Sequence, residues 1–185
     1  MKRILLSLVC LLLFSGCGRE SALDESLRLR DNLLKADGCA FDAAMTADYG
    51  DVTYTFEMKC KSDSAGNITF SVLKPDTIKG ITGTIESEGG KLTFDDKILA
   101  FDVFADGLIS PVSGPWYFIR ALSGGYIRAC EQSDDGFHMV VNDTYLENAF
   151  QVDIFTDNNL QPIHGEIFWK GYRILTLSLS NFKFL

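Results

Sequence analysis

The sequence predicts an α+β fold, mainly β: an antiparallel sheet with one wet face, and two helices available to cover the other. Three observations carry this. From Cys39 to Phe184 apolar residues recur largely with a period of two, as in strands with one solvated face. Clusters rich in Gly, Asp, Asn and Ser cut that pattern into short runs, the mark of a meander. Two stretches, 22–35 and 116–122, leave the alternation and read as helices.

The chain opens on Met1-Lys2-Arg3 and an apolar run from Ile4 to Leu13, too short to span a bilayer and typical of a secretory leader. Phe14-Ser15-Gly16-Cys17 then resembles the lipobox of bacterial lipoproteins, with Phe14 where Leu is usual. The resemblance implies that Cys17 is lipidated and becomes the new N-terminus. An ordinary signal with an incidental cysteine is the plainer alternative. Residues 1–16 are thus expected to be a signal peptide, 17–20 the anchor, and 21–185 a single domain held by its acyl chains on the extracytoplasmic face of a bacterial cell membrane.

The helix expected from Ala22 to Lys35 starts at a capping box of Ser21 and Asp24 and stops at Gly38. Leu23, Leu27 and Leu34 give it a narrow apolar stripe, with Leu33 beside them. Next comes a hairpin. With Tyr49-Gly50 as a two-residue loop, Asp48 opposes Asp51 and Cys39 opposes Cys60 in a non-hydrogen-bonded pair, where Cα atoms approach to about 4.5 Å. A disulfide between Cys39 and Cys60 is therefore expected in the oxidising compartment that the leader implies. Cys130, with no neighbouring His, reads as a small buried hydrophobe.

Ser62 to Asn67 is a turn cluster, and Ile68, Phe70 and Val72 alternate up to Lys74-Pro75, which ends that strand or puts it at an edge. Ile81–Glu86, Lys91–Asp95 and Ile98–Phe101 are short strands split by Glu88-Gly89-Gly90 and Asp95-Asp96. Ser110, Pro111 and Pro115 then favour a helix start, and Gly124-Gly125 a stop, around an apolar stretch broken only by Arg120. A helix apolar nearly all round is expected to be buried. Strands resume at Tyr126–Cys130, His138–Val141, Phe150–Thr156, His164–Trp169 and Arg173–Phe184. The sequence shows no second domain or repeat.

Composition excludes several functions. The chain has 17 Lys and Arg against 25 Asp and Glu, a net charge of −8. Without a basic run, nucleic acid is not an expected partner and tight binding to anionic headgroups is not implied. His138 and His164 are the only histidines and lack the spacing of metal ligands. The acidic runs do not follow a calcium-loop pattern, and no Gly-x-Ser-x-Gly elbow is present. No cofactor, metal site or catalytic residue is expected. Asn142-Asp143-Thr144 matches a glycosylation sequon that a bacterial leader makes idle.

Near the C-terminus the run VDIFTDNNLQPIHGEIFWKGYRILTLSLSNFKF places Phe155, Asp157, Leu160, Pro162, Glu166, Gly171, Asn181 and Phe182 in a strand, turn, Leu-x-Pro, strand, Gly turn, strand order. This resembles the closing strands of the LolA, LolB and LppX-type family of lipoprotein carriers and sorting proteins. The resemblance implies a curved, incomplete antiparallel barrel with helices over its concave face and, in transporting members, an apolar cavity between them. Soluble carriers of that family lack an anchor, so the likeness is to its anchored members, and their charged gating residues have no match here. The expected function is non-enzymatic binding or carriage of a lipid or acyl ligand. Its wall would be Phe41, Met45, Tyr54, Phe56, Met58 and Phe70 from strands, with Trp116 and Phe118 from the second helix. The same aromatic set serves equally as a filled core. In that alternative the protein is an envelope interaction or sensory module that docks another protein.

Overall fold

A computed structural model describes residues 17–185 apart from 88, 95–96, 102–103 and 106–107. The signal segment 1–16, and the expected turn positions Glu88, Asp95 and Asp96, lie outside the described residues. Helix α1 spans Cys17–Lys35. Then come β1 (Gly38–Asp48), β2 (Thr53–Asp63), β3 (Ile68–Lys74), β4 (Thr82–Glu86), β5 (Gly89–Phe94) and β6 (Lys97–Phe101). Two short strands, β7 (Phe104–Ala105) and β8 (Leu108–Ile109), precede α2 (Gly114–Gly124), and β9 (Tyr126–Ser133), β10 (Gly136–Asn142), β11 (Phe150–Thr156), β12 (Pro162–Trp169) and β13 (Tyr172–Phe184) finish the chain.

The main sheet has 11 antiparallel strands in the order β6-β5-β4-β3-β2-β1-β13-β12-β11-β10-β9. It consists of two meanders joined where the first and last long strands pair, Cys39 against Phe184 through Ala47 against Leu175. The backbone of Leu185 closes the seam by donating to the Gly38 carbonyl at 3.0 Å. This order dictates where α2 goes. The edges are β6 and β9, and the chain between them must cross the sheet, so the apolar helix in that crossing is laid over the inner face.

The two meanders repeat one local device, although their sequences show no repeat. Gly38 (φ +143°) and Gly136 (φ +150°) each sit so that a Cβ would lie 2.0 Å from a backbone carbonyl, of Ser62 and Thr156 respectively. Only glycine allows that approach. The hydroxyls of Ser62 and Thr156 are buried, and each donates to the carbonyl of the following aspartate. Asp63 Oδ1 accepts from the N–H groups of Ala65 and Asn67, both at 2.9 Å, and Asp157 Oδ1 from those of Asn159 and Gln161, at 2.8 and 2.9 Å. The left-handed position is Gly66 in one turn and Leu160 (φ 58°) in the other.

Two expectations are corrected. The first hairpin closes on a four-residue loop, with the Tyr49 N–H donating to the Val52 carbonyl, so Asp48 opposes Thr53 and not Asp51. And α1 starts at Cys17, buries Ala22, Ser26, Leu29 and Leu33, and leaves the expected stripe of Leu23, Leu27 and Leu34 exposed. The small Ala22 and Ser26 let the helix approach the β9 side closely, where Cys130 Sγ lies 3.6 Å from Ser26 Oγ. Gly38 is not the helix stop but the start of β1.

Candidate functional site

The concave face divides into a sealed part and an open part, and α2 makes the seal. Every residue from Gly114 to Leu122 except Arg120 is buried. Phe118 is fully buried, and its ring lies where Gly165 of β12 has no side chain: a Cβ there would sit 2.6 Å from Phe118 Cδ2. A Cβ on Gly114 would meet Leu175 Cδ1 at 2.9 Å and Met45 Sδ at 3.3 Å. Helix and sheet thus touch where glycines remove side chains, which gives close packing in place of a gap. Arg120 folds its guanidinium over the Trp116 ring, 5.1 Å from the centroid.

Both flanks of α2 are tied by polar contacts. The Tyr117 hydroxyl donates to the Asp143 carboxylate, whose Oδ1 accepts the Phe150 N–H at 2.9 Å. Burial pushes the Tyr117 phenol well above its usual range, and the carboxylate pushes the same way. At the C-terminal end, Arg30 of α1 donates from Nε to the Leu122 carbonyl and from Nη2 to the Gly125 carbonyl, both at 2.8 Å. Carbonyls at a helix end lack intrahelical partners, so a guanidinium there both bonds them and complements the helix dipole. Burial lowers the Arg30 pKa, with Cys130 acting in the opposite sense, but the guanidinium stays charged.

Of the expected wall, Phe41, Met45, Met58, Phe70, Trp116 and Phe118 are brought together on the inner side and packed into one core cluster. Phe41 stacks on Phe182 at 5.5 Å. Tyr54 and Phe56 are different: Tyr54 is exposed and Phe56 half-buried, stacked on each other at 6.2 Å near the hairpin end. Tyr49 donates its hydroxyl to the Ile109 carbonyl beside them.

One inward row shows where the seal ends. Phe41, Cys60, Phe70, Gly83, Leu92 and Leu99 are cross-strand partners in succession from β1 to β6. The first three side chains are buried, Leu92 is half-buried, and Leu99 is 63% exposed. The Phe70 ring lies across Gly83, and the Phe101 ring across Gly90. The apolar face therefore continues past the helices to β6 with an aromatic floor. Leu92 and Leu99 were not singled out by sequence, although their alternation with Lys91, Thr93 and Ile98 was legible.

The disulfide expectation is corrected by the register. Cys39 opposes Ser62 and Cys60 opposes Phe41, so the two cysteines are diagonal neighbours and both are free thiols. Diagonal positions stand about 7–8 Å apart, beyond ordinary disulfide reach. Burial pushes the Cys39 thiol up to about 11 against lowering hydrogen bonds from Ser62, and burial also raises Cys60. Cys130 is half-buried. His138 stacks on Phe155 and lies 3.2 Å from Asp153 Oδ2, while His164 and Arg173 both approach Glu166. Among the described residues no group of three or more His, Cys, Asp or Glu could hold a metal ion, and no helix is long and apolar enough to cross a membrane.

These features define a curved antiparallel sheet with two helices on its concave face. Neither a family model nor a curated protein matches the chain. Solved structures to which it is similar include an uncharacterized conserved protein from Thermus thermophilus, at 10% identity and TM-score 0.49, covering 86% of this chain and 87% of that one. A LolA superfamily protein from Nitrosomonas europaea aligns at 11% identity and TM-score 0.45 over 92% and 94%. The lipoprotein LppX from Mycobacterium tuberculosis aligns at 11% identity and TM-score 0.43 over 88% and 93%.

Proposed function

We propose that the chain is an extracytoplasmic lipoprotein, anchored through Cys17, that binds an acyl or similar hydrophobic ligand without chemical conversion. The observation that carries the reading is the inward row ending on Leu99: an apolar face that extends beyond its covering helices and leaves a leucine 63% exposed. Covering one leucine side chain contributes about 1.5–3 kcal/mol, enough to set affinity by a factor of about ten or more. The ligand takes the Leu92 and Leu99 end of the face, since the wall under α2 is already occupied by Phe118 and its neighbours.

Native mass spectrometry of the protein purified from its membrane, together with uptake of a fluorescent fatty acid, tests this. Co-purifying acyl species are expected, and Leu99→Gln should weaken uptake about tenfold. Cys17→Ser should leave the chain without its anchor and released from membranes. A second reading, a module with a filled core that docks an envelope protein, is favoured by the packing of Phe118 on Gly165. An apo mass with no uptake would put that reading in first place.

A further inference from the structure

The outer face of the same sheet carries a feature that the ligand reading does not use. A groove of about 630 Å³ runs across β2 to β6 on the side away from the helices. Its lysines are Lys59 and Lys61 from β2 and Lys91 from β5. Between them β3 contributes Thr69 and Ser71, and β4 contributes Thr82 and Thr84. Register aligns these residues into two rows. Lys61, Thr69, Thr84 and Lys91 are successive cross-strand partners, as are Lys59, Ser71, Thr82 and Thr93. The shape follows: long lysine side chains form the walls, short hydroxyl side chains the floor, and three strand spacings put the backbones of Lys61 and Lys91 about 14 Å apart.

The charge pattern is the informative part. The whole chain is at −8, yet no carboxylate lines the groove. Of the nearby acids, Glu57 is paired with Lys74 at 2.8 Å, while Asp42, opposite Lys59 on β1, turns a carboxylate oxygen to Asn181 at 2.7 Å. Glu86 lies in a smaller adjoining hollow. Among the described residues Lys59, Lys61 and Lys91 form no ion pair, and of the floor hydroxyls only Thr69 is engaged, with the Lys61 carbonyl. Three ammonium groups without an ion pair, with Asp42 opposite Lys59 and Glu86 beyond Lys91 as the flanking acids, stand over a floor of hydroxyls and threonine methyls, which suits a ligand with negative charges, hydroxyls and C–H faces together.

We propose that this groove binds an anionic saccharide, a short run of sugar units carrying carboxylate or phosphate groups. Ammonium groups take the charges, the Ser and Thr hydroxyls bond to sugar hydroxyls, and the threonine methyls and Ile98 lie under the sugar C–H faces. The groove faces away from α1 and α2, and α1 rests on the β9 side of the sheet, so a saccharide fits this placement better than the headgroups around the anchor. The site is independent of the acyl ligand on the other face.

The test is titration calorimetry on the full-length protein in detergent. The probes are a carboxylated oligosaccharide (oligogalacturonate), a phosphorylated oligosaccharide, a neutral one of equal length, inorganic phosphate, and phosphatidylglycerol vesicles. At least one anionic oligosaccharide should bind, more weakly as salt is raised. The K59Q/K61Q/K91Q variant should lose at least tenfold in affinity, while the equally charged control K35Q/K79Q/K170Q keeps it and fatty-acid uptake is unchanged in both. If the triple variant folds poorly, Lys91→Gln alone should still cost about threefold, roughly the loss of one exposed ionic contact. Binding of neither anionic oligosaccharide, equal binding of the neutral one, equal losses in the two triple variants, or binding of phosphate or vesicles alone would each overturn the assignment.

Discussion

The sheet ends on β9 at one side and β6 at the other, and the chain treats the two edges differently. Along β9, exposed Arg128 and Glu131 charge the edge, and α1 lies against it with Ser26 next to Cys130. Along β6, Ile98 is 69% and Leu99 63% exposed. Bare apolar edge strands invite association, and proteins usually protect them with charge or cover. Among the described residues only the β9 edge is protected in this way. The helices seal the β9 side and the centre, and among the described residues β6 keeps its apolar side chains exposed, which is where the proposed ligand would lie.

The largest effect should come from the sealed part. Phe118→Ala would remove a fully buried ring held between α2 and Gly165, and should cost about 3–5 kcal/mol in urea denaturation. Leu99→Ala, on the open part, should cost no more than about 0.5 kcal/mol. Similar costs at the two positions would erase the distinction between sealed and open halves.

A smaller effect tests what holds the seal in place. Arg30→Met keeps the aliphatic stem but removes both hydrogen bonds from α1 to the end of α2. Hydrogen bonds to charged groups contribute about 1.5–3 kcal/mol, and a loss in that range is expected on denaturation. Hydrogen exchange should also rise at the last turn of α2 and leave β3 to β5 unchanged. A uniform rise across the sheet would mean that Arg30 supports the whole fold and not one joint.

What was legible in the sequence follows from how local each signal is. Alternation placed the strands of β1 to β6 and β9 to β13 near their observed bounds, since period two depends only on one face being buried. The apolar circumference of residues 116–122 gave the burial of α2 for the same reason. The register of the first hairpin was not legible, because one hydrogen bond, Tyr49 to Val52, decides between a two- and a four-residue loop and so moves Cys60 away from Cys39. The buried face of α1 was misread because leucine is the stronger apolar signal, while close docking selected Ala22 and Ser26. For the candidate site, all six strand residues of the wall share the inner face by register, but Tyr54 and Phe56 are not buried like the rest, and residue type alone could not separate a packed ring from an open one. The lysine groove lay outside reach altogether: Lys59, Lys61 and Lys91 come together only through the pairing of four strands.

The smallest effect probes the device that both meanders share. Asp157 holds the β11–β12 turn by accepting the N–H groups of Asn159 and Gln161. Its pKa is lowered: burial alone raises it, but the hydrogen bonds from Gln161 and Asn159 outweigh burial. Asp157→Asn keeps a carbonyl acceptor and removes only the charge, so at neutral pH it should cost less than about 1 kcal/mol for this exposed group. A carboxylate whose pKa is depressed on folding stabilises fully above its unfolded value of about 3.9, and that contribution fades as pH falls through the folded value. The difference in stability between wild type and variant should therefore be flat from about pH 7 to pH 5 and shrink below about pH 4. A gap that persists undiminished at low pH would show that the turn depends on the geometry of the acceptor and not on its charge. The Asp63 turn, with the same two N–H contacts but glycine at the left-handed position, would then be governed by geometry as well.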